Sequence, residues 1–226
     1  MVMQNVADRV VEVRQRISDA VRRGGHGQAV RVVAVTKTYG PEAVEAAFAC
    51  GVPDVGENRV QEALDKQALV KAPVRWHLIG HLQRNKAKAL EHFAMLHSLD
   101  SARLADAVDA VGRTLGRPVD VLVQVNVAGE ETKGGHPLPT VAAEADRLKG
   151  LAGVRVLGVM TMAPLGADEA TLRAVFAGAR QARALLRAAG HPATELSMGM
   201  SGDFEVAVEE GATMVRLGTV LFGERH

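Results

Sequence analysis

The sequence holds one cysteine, Cys50, so no intramolecular disulfide and no cysteine-built zinc site can form. Aromatic residues make up only 3%, so valine, leucine, alanine and methionine must fill the core, although 47% of the chain is apolar. Neither sign of charge dominates: 27 basic residues stand against 26 acidic ones, for a net charge of +1. That balance argues against a protein that reads nucleic acid or coats a membrane by electrostatics. Apolar runs long enough to span a bilayer are missing, and so is a signal-peptide pattern at the start. A soluble, cytoplasmic protein is the expectation.

What is present is alternation. An amphipathic helix comes first, over 1–25, with Val6, Val10, Val13, Ile17 and Val21 at helical spacing and Gly24-Gly25 closing it. It is expected to plug or flank a sheet. Short β-branched or apolar runs then alternate with helical segments. The strands are expected at 31–37, 54–58, 75–79, 95–99, 119–127, 154–161, 194–198 and 214–217, with a basic helix at 82–93. Runs of this kind suit a parallel sheet buried on both faces. About eight strand–helix units at 226 residues favour a single-domain α/β protein, a (β/α)8 TIM-type barrel with an extra N-terminal helix. The barrel is assigned to 31–220, and 221–226 to a C-terminal tail. A dinucleotide fold is disfavoured, because no Gly-x-Gly-x-x-Gly follows the first strand.

Barrel enzymes and binders place their chemistry at the carboxyl ends of the strands. Lys37 ends the first strand. A lysine there is either a surface charge or a partly desolvated amine able to attack a carbonyl. The stretches 197–203 and 215–220 end the last two strands and open helices. Small residues with free N–H groups at helix starts bind anions. Ser201 and Thr219 add hydroxyl donors, and Gly218 lets the backbone approach. The alternative for the first stretch is that Ser201 or Asp203 only caps a helix. An amine at one strand end and a phosphate cradle beside it ask for a ligand with a carbonyl and a phosphate, and pyridoxal 5′-phosphate has both. Arg216, facing the mouth, would keep the pyridine nitrogen unprotonated unless it merely forms a salt bridge at the rim. Asn58 either contacts the ring or forms a capping box with Gln61. His77 and His81 lie four apart, but the strand pattern breaks any helix there and no third ligand is evident, so a metal is not expected. Lys133 is a second lysine in the loops at the same end, or only a loop charge.

The stretch from Trp76 to Lys86, with 35–37, 56–58, 124–126, 196–201 and 214–219, resembles the pyridoxal-phosphate-binding homeostasis proteins (YggS in bacteria, PROSC or PLPBP in animals) over nearly the whole chain. The resemblance implies a barrel similar to the N-terminal domain of alanine racemase, with Lys37 forming the internal aldimine. It implies Ser201, Gly218 and Thr219 at the phosphate, Arg216 at the pyridine nitrogen and Asn58 beside the cofactor. It also implies a carrier or buffer of pyridoxal phosphate without substantial enzymatic activity, which passes the cofactor transiently to apo-enzymes. Two-base racemisation needs a group on each face of the substrate. The racemase tyrosine comes from a second domain, before which this chain is expected to end, and Tyr39 beside Lys37 is the only tyrosine. A weak amino-acid racemase is the alternative. A monomer is expected.

Overall fold

The computed structural model describes residues 2–130 and 133–223. In them, eight parallel strands close on themselves: β1 (Arg31–Val35), β2 (Asp54–Glu57), β3 (Arg75–Leu78), β4 (Met95–Leu99), β5 (Val119–Asn126), β6 (Val154–Met160), β7 (Glu195–Ser197) and β8 (Met214–Leu217). Neighbours in sequence are neighbours in the wall. The seam is the pairing of β1 with β8, Arg31 opposite Met214 and Ala34 opposite Leu217. This is the α/β barrel expected from the alternation. A two-residue strand, His136–Pro137, adds to the end of β5 within a loop that carried no strand signal.

Each strand buries both faces, as its composition requires. On β5, Val119, Val121, Val123 and Val125 turn outward into the helix layer, while Leu122 joins Val33, Met95, Met160 and Met214 inside the barrel. Unbranched methionines fill an interior that aromatics do not. At the amino ends of the strands the wall is tied by ion pairs, Arg31 to Glu195 at 2.7 Å and Arg75 to Asp54.

The helix layer holds α1 (Val2–Gly24), α2 (Pro41–Ala49), α3 (Val60–Gln67), α4 (Ala102–Leu115), α5 (Val141–Leu148), α6 (Glu169–Ala188), α7 (Phe204–Glu209) and α8 (Thr219–Phe222). Ser101 caps α4 and Asp168 caps α6 through their side-chain oxygens. The helix α8 is only four residues long, too short to cover a strand. The first helix takes that place. Its buried stripe of Val6, Val10, Val13, Ile17 and Ala20 packs beside α7, α8 and α2. Arg9 donates to the Leu221 carbonyl and Arg16 lies 4.7 Å from the centre of the Phe204 ring. Thus α1 flanks the barrel as its eighth outer helix and does not plug it. The expected tail from 221 begins inside α8, and 224–226 lie outside the described residues.

One element differs in kind. The basic helix expected over 82–93 is of the 3₁₀ type, Arg84–His92. Its buried residues Ala87, Leu90 and Phe93 recur every third position. A helix of three residues per turn stacks those in one straight row, whereas on an α-helix the row would drift around the cylinder.

Candidate functional site

The carboxyl ends of the strands ring a cavity of about 980 Å³. Lys37, Asn58, Ser201, Arg216, Gly218 and Thr219 all line it, and so does Lys133. The sequence spread them over more than 180 positions; closure of the barrel brings them together.

Strand periodicity aims Lys37. Val33 and Val35 face inward, so the next position in step, Lys37, also faces in. It is half-buried in a turn closed by the Tyr39 N–H donating to the Thr36 carbonyl at 3.0 Å. The following residue, Thr38, has a φ of +66°, a conformation β-branched residues strongly resist. A network on the outer face of the wall holds it there. Glu62 accepts from the Thr38 N–H. Lys66 donates to the Thr36 carbonyl at 2.6 Å, to Glu57 at 2.7 Å and to Glu62 at 2.8 Å, and the Thr36 hydroxyl donates to Glu57 at 2.6 Å. Burial pushes the Glu57 carboxyl up, although the bonds from Lys66 and Thr36 pull the other way. Its second oxygen has no hydrogen-bond partner among the described residues. Sequence reasoning missed this network. Its only local trace is the Glu62–Lys66 spacing of four, which is common on solvated helices.

Asn58 forms no capping box. The residue before α3 is Arg59, and no side chain caps that helix end. Asn58 instead sits against Gly80, where an added Cβ would lie 2.4 Å from the Asn58 carbonyl oxygen. A glycine there allows the contact, which fixes where Asn58 meets the cavity.

At the last two strands, the turn after β7 is tied by Asp203, whose carboxylate accepts from the Met200 N–H at 2.5 Å. Burial pushes that carboxyl up. Neither Ser201 nor Asp203 caps α7 with its side chain. Ser201 accepts from the Val220 N–H at 3.3 Å, so it joins the loop after β7 to the start of α8. The first N–H groups of α8 have no partner within the helix. Together these groups form a donor cluster of the kind that grips a phosphate.

Arg216 makes no salt bridge at the rim. It is 4% exposed and donates to the Ser197 carbonyl and hydroxyl, each at 2.7 Å, and to the Thr161 carbonyl at 2.8 Å. Those bonds occupy three of its five N–H groups. Burial pushes its pKa down to about 10, which still leaves it cationic at neutral pH. Lys133 donates to the Ala163 carbonyl at 3.1 Å and pairs with Glu130. Tyr39 donates its hydroxyl to the Gly223 carbonyl at 2.9 Å. His81 pairs with Asp100, while His77 lies in the core, and no cluster suited to a metal occurs among the described residues.

Comparison with known proteins agrees with the fold. The family described as Alanine racemase, N-terminal domain, matches residues 11–226. The chain is 42% identical to the pyridoxal phosphate homeostasis protein of Aquifex aeolicus, covering 98% of this chain and 99% of that one. It is 40% identical to the protein of the same name in Pseudomonas aeruginosa, over 99% of this chain and 97% of that one. The solved structure of PipY from Synechococcus elongatus with PLP bound superposes with a TM-score of 0.85, at 39% identity over 96% of this chain and all of that one. Alanine racemase from Corynebacterium glutamicum, at 16% identity and a TM-score of 0.75, shares the fold over 99% of this chain and 62% of its own. The chain belongs to the pyridoxal phosphate homeostasis protein family, built on the alanine racemase N-terminal barrel.

Proposed function

We propose that this chain binds pyridoxal 5′-phosphate as a single barrel domain and serves its homeostasis, holding the cofactor covalently through Lys37 as a buffer or carrier. One observation carries the reading: a half-buried lysine, a buried cation and a phosphate-type donor cluster line a single cavity of about 980 Å³. The donor set fits the cofactor. Its aldehyde suits the Lys37 amine, its phosphate suits Ser201, Gly218 and Thr219, and Arg216 and Asn58 would hold its ring.

When bound, the cofactor supplies an aldehyde and an electron-withdrawing ring. The protein's residues restrain the second property. Arg216 remains a cation and cannot hand a proton to the pyridine nitrogen, so the ring is a weak electron sink. Tyr39, the one tyrosine, has its hydroxyl engaged by Gly223. These features support storage over turnover. In this reading the protein works as a monomer and releases pyridoxal phosphate to apo-enzymes. Amino-acid racemisation at about one turnover per second or faster would refute it.

The direct test is borohydride reduction of the loaded protein followed by peptide mass spectrometry. The expected label is on Lys37. Lys37→Ala abolishes the label and leaves the circular dichroism spectrum intact. A label retained in that variant moves the attachment elsewhere, with Lys133 the first residue to map.

A further inference from the structure

A single file of side chains crosses the barrel interior beneath the cavity. Arg216 donates to the Ser197 hydroxyl at 2.7 Å, Ser197 lies 2.9 Å from His97 Nδ1, and His97 Nε2 lies 2.9 Å from His77 Nδ1. His77 Nε2 then lies 2.9 Å from Asp54, whose carboxylate also receives Arg75 at 2.7 Å. From Arg216 to Asp54 all five side chains are buried, and Ser197 and His97 are 0% exposed. They pass beside Val33, Met95 and Met214, where apolar side chains would otherwise suffice.

The ends of the file set its direction. Arg216 can only donate. Burial pushes the Asp54 carboxyl up, but hydrogen bonds from His77 and Arg75 outweigh it and hold the group well below the usual carboxylate range. Asp54 therefore only accepts. Burial holds His97 well below the ordinary histidine value, so it is neutral with one N–H. One arrangement then satisfies every group: Arg216 donates to Ser197, Ser197 to His97 Nδ1, His97 Nε2 to His77, and His77 to Asp54. The reverse polarity would leave the Ser197 hydrogen without an acceptor among the described residues, since Arg216, its other partner, only donates. Arg216 pairs with no carboxylate among the described residues, so the file links a buried cation to a buried anion through one serine and two histidines.

We propose that His97, acting through Ser197, is a positioning residue for Arg216, fixing the guanidinium so that it reads the ring nitrogen of pyridoxal phosphate. This rests on the cofactor assignment above. A guanidinium has several low-energy rotamers. The Ser197 hydroxyl accepts from Arg216 only while its own hydrogen is drawn away, and His97 Nδ1 draws it away. Loss of His97 frees that hydrogen to turn toward the cation.

The test compares pyridoxal phosphate with its 1-deaza analogue, in which C–H replaces the ring nitrogen while aldehyde and phosphate remain. Borohydride-trapped occupancy against concentration gives both affinities. The wild-type protein should favour the natural compound by about tenfold, the value of one hydrogen bond. His97→Leu and Ser197→Ala should shrink that preference to within about twofold of unity while leaving the analogue's affinity unchanged. His97→Asn, which can still accept from Ser197, should recover most of it. Loss of both ligands in parallel, or a preference unchanged in the variants, overturns the proposal, and so does a wild-type protein indifferent to the ring nitrogen. Should the leucine variant fail to fold, ¹⁵N spectra of the wild-type protein decide: a protonated His97 Nδ1 overturns the proposal and a bare one supports it. A wild-type protein that traps neither compound refutes the cofactor assignment instead.

Discussion

Replacing Lys66 by methionine tests the network behind the Lys37 turn. Lys66 is 6% exposed and Glu57 is 0% exposed. Lys66→Met leaves the Glu57 carboxylate in the interior with only the Thr36 hydroxyl to bind it. Breaking a buried ion pair from one side costs about 3–5 kcal/mol. For a chain of this size that lowers Tm by roughly 6–20 °C. The pH dependence follows from Glu57. Burial already pushes its carboxyl up against the pull of Lys66, and removing Lys66 pushes it further. A carboxyl raised in the folded state binds more protons there than in the unfolded chain. Stability then falls as pH rises from the unfolded value toward the folded one. The gap between variant and wild type is therefore small near pH 4 and grows toward pH 7. Urea titrations of both proteins at several pH values read it directly. Adding Glu57→Gln should recover most of the loss, because no buried charge is then stranded. A gap that stays constant between pH 4 and 8, or one below about 1 kcal/mol at neutrality, would refute the burial argument.

Three further outcomes are expected. Thr38→Gly relieves a left-handed backbone that costs a threonine about 1–2 kcal/mol, set against a glycine entropy of about 0.5–1; calorimetry should show a slightly raised Tm, and trapping at the loosened Lys37 should be slower. Gly80→Ala places a methyl 2.4 Å from the Asn58 carbonyl oxygen, so it should destabilise by about 1–3 kcal/mol and weaken cofactor retention, read by denaturant titration and dialysis. Ser201→Ala should weaken pyridoxal phosphate by about tenfold while leaving phosphate-free pyridoxal unchanged, as measured by absorbance titration.

Periodicity carried much of the fold. Valine alternation on β5 and the stripe on α1 are local signals, and barrel closure turns them into position. The rim residues were legible because strand ends carry chemistry: Lys37 keeps step with Val33 and Val35, and Gly218 opens α8. What stayed hidden depends on burial. Asn58 and Gln61 fit a helix cap by spacing, yet the chain turns one residue later at Arg59. Arg216 could also be read as a rim charge, because nothing local tells that Ser197 and Thr161 enclose it. The file through His77 and His97 joins residues 19 to 100 positions apart, and no spacing rule reaches that far.

The helix α1 fills the wall position that α8 is too short to occupy, so a helix from before β1 completes the outer layer against one from after β8. Arg23 pairs with Glu209, and Arg9 waits for the Leu221 carbonyl. A chain not yet extended through β8 thus contains Lys37 but lacks the seam strand and the Arg216, Gly218 and Thr219 side of the cavity. The cavity that Lys37 lines is therefore complete only once residues from both ends of the barrel have met across the β1–β8 seam.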